Sequence, residues 1–306
     1  MDVRVIIDQM VILFFIMAVG YIANKCKVMT KELNRLLSSL VINVCLPFYI
    51  VSSVLTGEKS LSNGMVFAII GYSIIAYIVV FILALILTRL PCFNNKDKKL
   101  YNFMILFGNV GFMGMPVISS IFGGDALFFA SVFNMPFNFL VYSLGVYFVS
   151  GRGDEFKFSP KLFLNAGVVS SVIAIVLYVC DIHVPDVLCT AISLTGQITT
   201  PAAMLVIGST LATIPVKRIF TNPELYLIAF IRLLLVPIAV WAVLRLIISD
   251  PTLLGVGVML AAMPVATNAS LLCLRYGGNE ELASNSVFIS TVLSLVTIPI
   301  LSLLLF

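Results

Sequence analysis

The chain has 306 residues, of which 61% are hydrophobic and only 10% are charged, and its mean hydropathy is +1.14. Soluble domains carry about 25% charged residues, so this composition excludes a soluble globular protein and predicts an integral protein of the lipid bilayer. The connections between apolar stretches are short, which leaves no room for a nucleotide-binding domain or a nucleic-acid-binding surface. The modest net charge of +4 reflects membrane topology rather than a nucleic-acid partner.

Ten apolar segments follow one another, each close to the roughly 20 residues that a helix needs to cross the hydrocarbon layer. The predicted spans are 4–24, 33–55, 64–88, 101–121, 125–149, 161–180, 186–213, 224–247, 253–274 and 280–305. The first span is expected to remain in the mature protein, because its end, GYIANKCK, lacks the small-residue pattern of a signal-peptide cleavage site. The predicted fold class is an all-α membrane protein with ten transmembrane helices.

The positive charges are distributed unevenly between the two sides of the membrane. Fourteen of the 18 lysines and arginines fall on the side that holds the connections after spans 1, 3, 5, 7 and 9. Positively charged loops resist translocation, so this side is predicted to be cytoplasmic. Both termini are then expected outside, in a multi-pass protein of the cell membrane.

The two halves of the chain resemble each other. SLVINVCLP at 39–47 matches SLTGQITTP at 193–201 at an offset of 154, and GGD at 123–125 matches GGN at 277–279 at the same offset. SVF at 131–133 matches SVF at 286–288 at an offset of 155. These matches predict two five-span repeats, residues 1–150 and 151–306. Because five is odd, the repeats are inverted relative to each other, which is typical of many secondary transporters.

Span 4 and its counterpart in the second repeat, span 9, both contain helix-breaking residues in mid-membrane. Span 4 holds GNVGFMGMPV at 108–117, and span 9 holds MLAAMPVATNASLLCL at 259–274. Proline lacks an amide hydrogen and glycine loosens the backbone, so both segments are expected to unwind. The freed polar groups need partners within a membrane, so paired breaks predict a buried polar cavity with half-helix N-termini near the midplane. The alternative is that the glycines only allow close helix packing.

These motifs carry a family resemblance. GNVGFMGMP, AAMPVATNASLLCLRYGGNEELAS and STVLSLVTIPIL resemble the auxin efflux carrier family, in its short prokaryotic form, over essentially the whole chain. The resemblance implies a fold similar to the bile acid/sodium symporters, in which helices 4 and 9 are broken and cross at their prolines. It further implies a scaffold from helices 1, 2, 6 and 7 and a mobile transport domain from helices 3–5 and 8–10.

The resemblance also implies substrate-binding residues at the crossing of spans 4 and 9. They are Asn109, Gly111, Gly114 and Pro116 in span 4, and Pro264, Thr267 and Asn268 in span 9. An asparagine side chain supplies two donors and an acceptor, so it can hold a carboxylate without a charge of its own.

Other amides in the spans are further candidates. Asn134 and Asn138 lie one helical turn apart in span 5, where they either face the same cavity or form interhelical hydrogen bonds. Asn43 and Gln197 each precede a proline by four residues, in spans assigned to the scaffold. They either bond the carbonyls that those prolines free or line the substrate path from the static side.

Ionizable residues are rare within the spans, and Arg232 in span 8 is the clear case. It either snorkels to the cytoplasmic face, forms a structural pair, or binds an anionic substrate. No Asp or Glu lies at the centre of any span, so the paired carboxylates of a sodium/proton antiporter are missing. A sodium site stays open, because carbonyls together with Thr195, Gln197, Thr199 and Thr200 offer oxygen ligands.

No enzymatic chemistry is predicted. The six cysteines include no CxxC pair, and the single histidine, His183, has no nearby triad partners. The sequence therefore predicts no metal site and no cofactor.

The residues and the resemblance together predict a secondary transporter that moves a small organic anion by elevator-type alternating access. The resemblance suggests auxin-like substrates or dicarboxylates such as malate or malonate. The alternatives are a sodium-coupled organic anion symporter of the bile acid symporter type and, more remotely, an anion channel. Similar folds often form homodimers through the scaffold helices, although the sequence identifies no interface.

Overall fold

A computed structural model describes residues 3–55, 63–124, 126–149, 166–213 and 222–305. Within these ranges the regular elements are helices, and the single β-bridge lies between two unwound segments. The helices are α1 Val3–Lys25, α2 Lys31–Leu40, α3 Leu46–Leu55, α4 Asn63–Leu87, α5 Lys98–Leu106, α6 Met115–Phe122, α7 Ala126–Phe133, α8 Met135–Leu140, α9 Val146–Val149, α10 Ala166–Val179, α11 Asp186–Gln197, α12 Thr199–Leu211, α13 Pro223–Phe230, α14 Val236–Leu244, α15 Pro251–Ala261, α16 Asn268–Tyr276 and α17 Glu280–Leu305.

Among the residues that the structure describes, five helical stretches are long and apolar enough to cross a membrane. They are Lys31–Ser52, Gly64–Leu87, Asp186–Leu211, Pro223–Leu244 and Glu280–Leu304. Shorter apolar helices lie in the other five predicted spans: Val11–Lys25, Val110–Phe122, Ala126–Phe137, Val169–Val179 and Pro251–Ala261. The all-helical membrane character is therefore confirmed. Ten crossings, the inverted repeat and its division at residue 150 stay predictions.

Single π-helical turns interrupt several helical stretches. In the described chain they cover Val41–Cys45, Val110–Gly114, Val141–Gly145 and Ile231–Leu235. Three of the four end two residues before a proline, namely Pro47, Pro116 and Pro237. A proline has no N–H for the preceding turn, so the helix widens there and its side chains change register.

The helices form two compact units. The first unit contains Met1–Tyr72, Gly111–Asn138 and Lys161–Thr213. In it α1 packs along α12, and α3 packs against α10 and α11. Glycines bring α1 and α12 close together, because Gly20 lies against the Leu205 carbonyl and Gly208 lies against the Met17 carbonyl. Small residues at such contacts are typical of helix packing in membranes.

The second unit contains Ser73–Val110, Phe139–Pro160 and Ile214–Phe306. Its centre is α5, whose residues from Leu100 to Leu106 are all buried, and which contacts α9, α13 and α17. Gly145 leaves room for the ring of Phe103, because a β-carbon at Gly145 would lie 3.0 Å from that ring. This packing fixes the end of α5, where the candidate site begins.

Candidate functional site at a crossing of two broken helices

Span 4 is interrupted where its sequence predicts a break. Helix α5 ends at Leu106, and Phe107 is extended, with φ −106° and ψ 114°. Gly108 and Asn109 are also non-helical, and helical geometry resumes only with the π-turn that starts at Val110. The break therefore falls at the first glycine and the asparagine of GNVGFMG. Pro116 lies in the first turn of α6 instead, so the expectation that both helices cross at their prolines is wrong for span 4.

Span 9 is interrupted in the same way. Helix α15 ends at Ala261 and α16 begins at Asn268. The intervening segment is non-helical and has Pro264 in its middle. The proline cannot donate to the preceding turn, and it disfavours helical geometry in the residue before it, so the break follows from its position.

The two unwound segments cross and pair with each other. Gly108 and Val265 form an antiparallel β-bridge. The N–H of Asn109 donates to the carbonyl of Pro264 at 2.7 Å, and the N–H of Ala266 donates to the carbonyl of Phe107 at 3.0 Å. Unpaired backbone groups are costly in a membrane interior, and here each segment satisfies groups of the other.

Helix α17 supports the crossing from one side. The N–H of Val265 donates to the hydroxyl of Ser290 at 3.1 Å. Two neighbouring hydroxyls on α17, those of Ser286 and Thr291, are buried and have no hydrogen-bond partner among the described residues. Buried polar groups are normally paired, so these two hydroxyls are exceptions on the helix that contacts the crossing through Ser290.

Arg232 holds both arms of the crossing together. Its Nε donates to the carbonyl of Met263 and its Nη1 to the carbonyl of Ile105, each at 3.0 Å. The side chain is only 2% exposed, so it does not snorkel to a membrane face, which was one of the three sequence interpretations. The contacts are those of the second interpretation, a structural pairing, and the pairing is with backbone carbonyls that the breaks have freed. Gly108 makes room for Nη2, which lies where a β-carbon would be.

The positive charge of Arg232 has no acidic counterpart in the described part of the chain. The ion pair found there joins Arg35 to Glu32, far along the sequence on α2. The crossing therefore carries a buried positive charge.

Asn109 adds an unused donor at the same place. The side chain is 3% exposed, and its Nδ2 has no acceptor among the residues that the structure describes. An unsatisfied buried donor costs about 1–3 kcal/mol, so a native structure keeps one only where something else pairs with it. Asn109 follows Gly108 directly in the unwound segment, so this donor belongs to the span 4 arm of the crossing.

The remaining span 9 candidates lie within the same unit. Pro264 accepts from Asn109, while Thr267 and Asn268 stand at the start of α16 and are half-buried. The hydroxyl of Thr267 makes no capping bond to α16. The second unit thus brings together four of the predicted site residues, Asn109, Pro264, Thr267 and Asn268, with Arg232.

The other span 4 and span 5 candidates belong to the first unit. Gly114 and Pro116 are buried and Gly111 is half-buried at the start of α6 and its π-turn. Asn134 is 8% exposed, and its carbonyl oxygen receives no hydrogen bond from the described residues. The side chain of Asn138 lies outside those that the structure describes.

Asn43 and Gln197 are exposed and bond within their own helices. Nδ2 of Asn43 donates to the carbonyl of Ser39 at 2.9 Å, and Nε2 of Gln197 donates to the hydroxyl of Ser193 at 3.3 Å. Both partners lie one turn earlier, whereas Pro47 frees the carbonyl of Asn43 itself. The interpretation that these amides bond proline-freed carbonyls is therefore wrong for these contacts, and a role along the substrate path stays a prediction.

Gly108 and Ser290 are contact residues that the sequence reasoning did not single out. Gly108 is the first glycine of the span 4 motif. Besides allowing the helix to unwind, it leaves space for the guanidinium of Arg232, because it has no β-carbon. Ser290 gives no local signal, because its partner Val265 lies 25 residues away.

A model of a family described as "Membrane transport protein" matches residues 5–162 and 155–302. An uncharacterized transporter of Methanocaldococcus jannaschii is 25% identical over 308 residues, covering 96% of both chains. A Rhizobium meliloti protein named "Putative malonate transporter" is 23% identical over 95% of this chain and 93% of its own. An uncharacterized transporter of Methanothermobacter thermautotrophicus is 24% identical over 94% of each.

The family matches cover nearly the whole chain, including both broken spans and the span that carries Arg232. They confirm the resemblance that the sequence motifs indicated. The chain belongs to the membrane transport protein family.

Proposed function

We propose that the chain is a secondary transporter of small organic anions, and that the crossing of spans 4 and 9 binds the substrate carboxylate. The observation that carries this proposal is that the crossing holds both the buried positive charge of Arg232, without an acidic partner in the described chain, and the unused amide donor of Asn109 on its span 4 arm. A buried charge is costly unless it is paired. A carboxylate is the ligand that would accept from Asn109 and offset the charge of Arg232.

The substrate class is a carboxylate of either the dicarboxylate or the auxin-like type. The relative named for malonate supports the dicarboxylates, and the family resemblance supports auxin-like molecules as well. Asn109 accounts for one charge-assisted hydrogen bond, which is worth about 1.5–3 kcal/mol. Thr267 and Asn268 follow Pro264 at the start of α16. We propose that their polar side chains contact the rest of the substrate.

The mechanism that we propose is alternating access of the elevator type, with the crossing carried between the two faces of the membrane. Spans 1, 2, 6 and 7 all fall in the first compact unit, spans 3, 8, 9 and 10 lie mainly in the second, and spans 4 and 5 are divided between the two. That grouping supports a scaffold and a mobile part. In this mechanism the substrate moves with the half that holds Arg232.

A thermal-shift screen of the purified full chain tests the binding step. Malonate, malate, indole-3-acetate and benzoate are the anionic probes, and choline is the organic cation control. A ligand at a hundred times its Kd stabilises the native state by about 2.7 kcal/mol, so a true substrate raises the Tm in a saturable manner. If none of the carboxylates raises the Tm above the effect of choline, the anion site is wrong.

Counterflow in proteoliposomes then separates a carrier from a channel. Liposomes loaded with unlabelled malonate should take up labelled malonate, and external unlabelled malonate should saturate that uptake. Conductance that rises without saturation would favour the channel interpretation instead.

A further inference from the structure

Most of the backbone carbonyls freed at the crossing already have donors from the protein itself. The carbonyls of Phe107, Gly108 and Pro264 accept from backbone N–H groups at distances between 2.7 and 3.0 Å. Two more, Ile105 on the span 4 arm and Met263 on the span 9 arm, accept from the single guanidinium of Arg232. The carbonyls of both arms therefore meet one fixed positive charge.

Carbonyls of this kind have a known use in transporters. Where helices are unwound at the midplane, the exposed carbonyls coordinate a coupling cation such as Na⁺. A guanidinium can occupy such a place, because its planar fork donates in two directions while its charge stays delocalised and permanent. In this chain the fork spans an oxygen from each arm, which is the geometry of a bridging cation.

We propose that Arg232 is a tethered cation that takes the place of a coupling sodium ion at the crossing. The part of this inference that concerns the substrate rests on the proposed function; the part that concerns the cation does not. A fixed positive charge holds the two broken arms together whether or not substrate is bound. It also supplies the compensating charge that a sodium-coupled symporter would have to import with each carboxylate.

A purely structural clamp explains the geometry less well. A neutral amide such as glutamine could donate to a carbonyl without the cost of burying a charge. Arg232 is 2% exposed and has no carboxylate beside it in the described chain. We infer that the positive charge of Arg232, and not only its hydrogen bonds, has a function at the crossing.

The first experiment measures thermal unfolding of the purified full chain in sodium and in choline at constant ionic strength, without substrate. The wild-type Tm should be the same in both salts. A saturable, sodium-specific rise of the wild-type Tm would overturn the proposal. Because no substrate is present, this result does not depend on whether carboxylates are transported.

The second experiment removes the tethered cation. Arg232→Ala exposes the two carbonyls, so sodium or low guanidinium concentrations should raise its Tm while leaving the wild-type Tm unchanged. Arg232→Gln, which keeps one donor, is the variant to use if Arg232→Ala does not fold. Arg245→Gln is the matched control, since Arg245 is an exposed arginine at the end of the same span, stacked on Trp241. It should show no cation response.

The two experiments distinguish results that support the tethered cation from results that contradict it. A cation response in the Arg232 variants, together with sodium indifference in the wild type, supports the tethered cation. Variants that fold but respond to neither cation contradict it, because an empty cation position should then accept one. If neither variant folds, the wild-type sodium measurement decides alone. If the wild-type Tm is the same in sodium and in choline but counterflow shows no carboxylate transport, the proposed function is wrong. The tethered-cation proposal is not affected by that result.

Discussion

Gly108 and Arg232 are in direct contact: a β-carbon at residue 108 would overlap Nη2 of the guanidinium. The same β-carbon would also lie 3.2 Å from the carbonyl of Met263, which accepts from Arg232. Glycine is required here because the backbone of one broken arm approaches the cation that holds the other arm. The contact ties the span 4 motif directly to span 8.

Gly108→Ala should therefore displace Arg232 and weaken the crossing. The guanidinium must shift to accept the methyl group, so one or both of its hydrogen bonds lengthen, at a cost of about 1–3 kcal/mol for the lost charged bonds. We expect a lower Tm and a loss of carboxylate binding. Gly124→Ala is the control, because a β-carbon at Gly124 meets nothing within 4 Å. Equal behaviour of the two variants would contradict this role of Gly108.

Substitution of the two buried asparagines of span 4, Asn109 and Asn102, should have opposite effects on the Tm and on substrate affinity. Asn109 has an unsatisfied Nδ2, so Asn109→Ala removes a buried donor without breaking a protein contact. We expect the Tm to stay equal or rise. Substrate affinity should fall about tenfold to a hundredfold, which corresponds to a charge-assisted hydrogen bond of about 1.5–3 kcal/mol. Titration of each variant with malonate or indole-3-acetate in the thermal-shift assay gives both quantities.

Asn102→Ala is the matched comparison. Oδ1 of Asn102 accepts from the hydroxyl of Thr88 at 2.9 Å, and both residues are buried. Its loss leaves the Thr88 side chain with one partner fewer, so stability should fall by about 1 kcal/mol while substrate affinity on the folded protein is retained. If Asn109→Ala behaves like Asn102→Ala, Asn109 is a structural residue and not a ligand.

Local sequence rules predict the breaks at the crossing but not its pairing. Glycine and proline act on the backbone of neighbouring residues, so the helix breaks at GNVGFMG and around Pro264 can be predicted from the sequence. The partners of Arg232 lie 31 and 127 residues away, at Met263 and Ile105. No local pattern encodes such distances, and the choice among the three interpretations of Arg232 needed the coordinates.

The π-turn that contains Arg232 has a signal in the sequence. Pro237 lies two residues after Ile231–Leu235, as Pro47 and Pro116 do after their own π-turns. Each proline removes a donor from the turn before it, so the widened turn is a local consequence of the proline. The repeated spacing predicts a register change in span 8 and therefore a special position for Arg232.

A partly buried hydrogen bond joins α5 to α13. The hydroxyl of Tyr101 donates to a carboxylate oxygen of Glu224, and Tyr101 is fully buried. We expect Tyr101→Phe to lower the free energy of unfolding by about 1.5–3 kcal/mol, because the carboxylate loses its donor in a partly buried place. A double-mutant cycle with Glu224→Gln should give a coupling energy above about 0.5 kcal/mol.

The control for that cycle is Tyr226→Phe. Tyr226 lies on the same helix, α13, and is 37% exposed. Surface changes of this kind stay within about 0.5 kcal/mol. A coupling energy near zero between positions 101 and 224 would mean that solvent screens the pair and that α5 is held by apolar packing alone.

The close approach of α1 and α12 in the first unit should make Gly208 sensitive to substitution. A β-carbon at Gly208 would overlap the carbonyl oxygen of Met17, so Gly208→Ala has to push the two helices apart. Backbone atoms cannot rotate away as a flexible side chain would, and overpacking of this kind costs about 1–3 kcal/mol or more. Gly71→Ala adds the same methyl group to a helix where nothing lies within 4 Å, and should be neutral or slightly stabilising. Thermal unfolding of the two variants in one detergent is the measurement. A Gly208→Ala Tm equal to that of Gly71→Ala would show that the helices separate at no cost and that the glycine contact does not hold the first unit together.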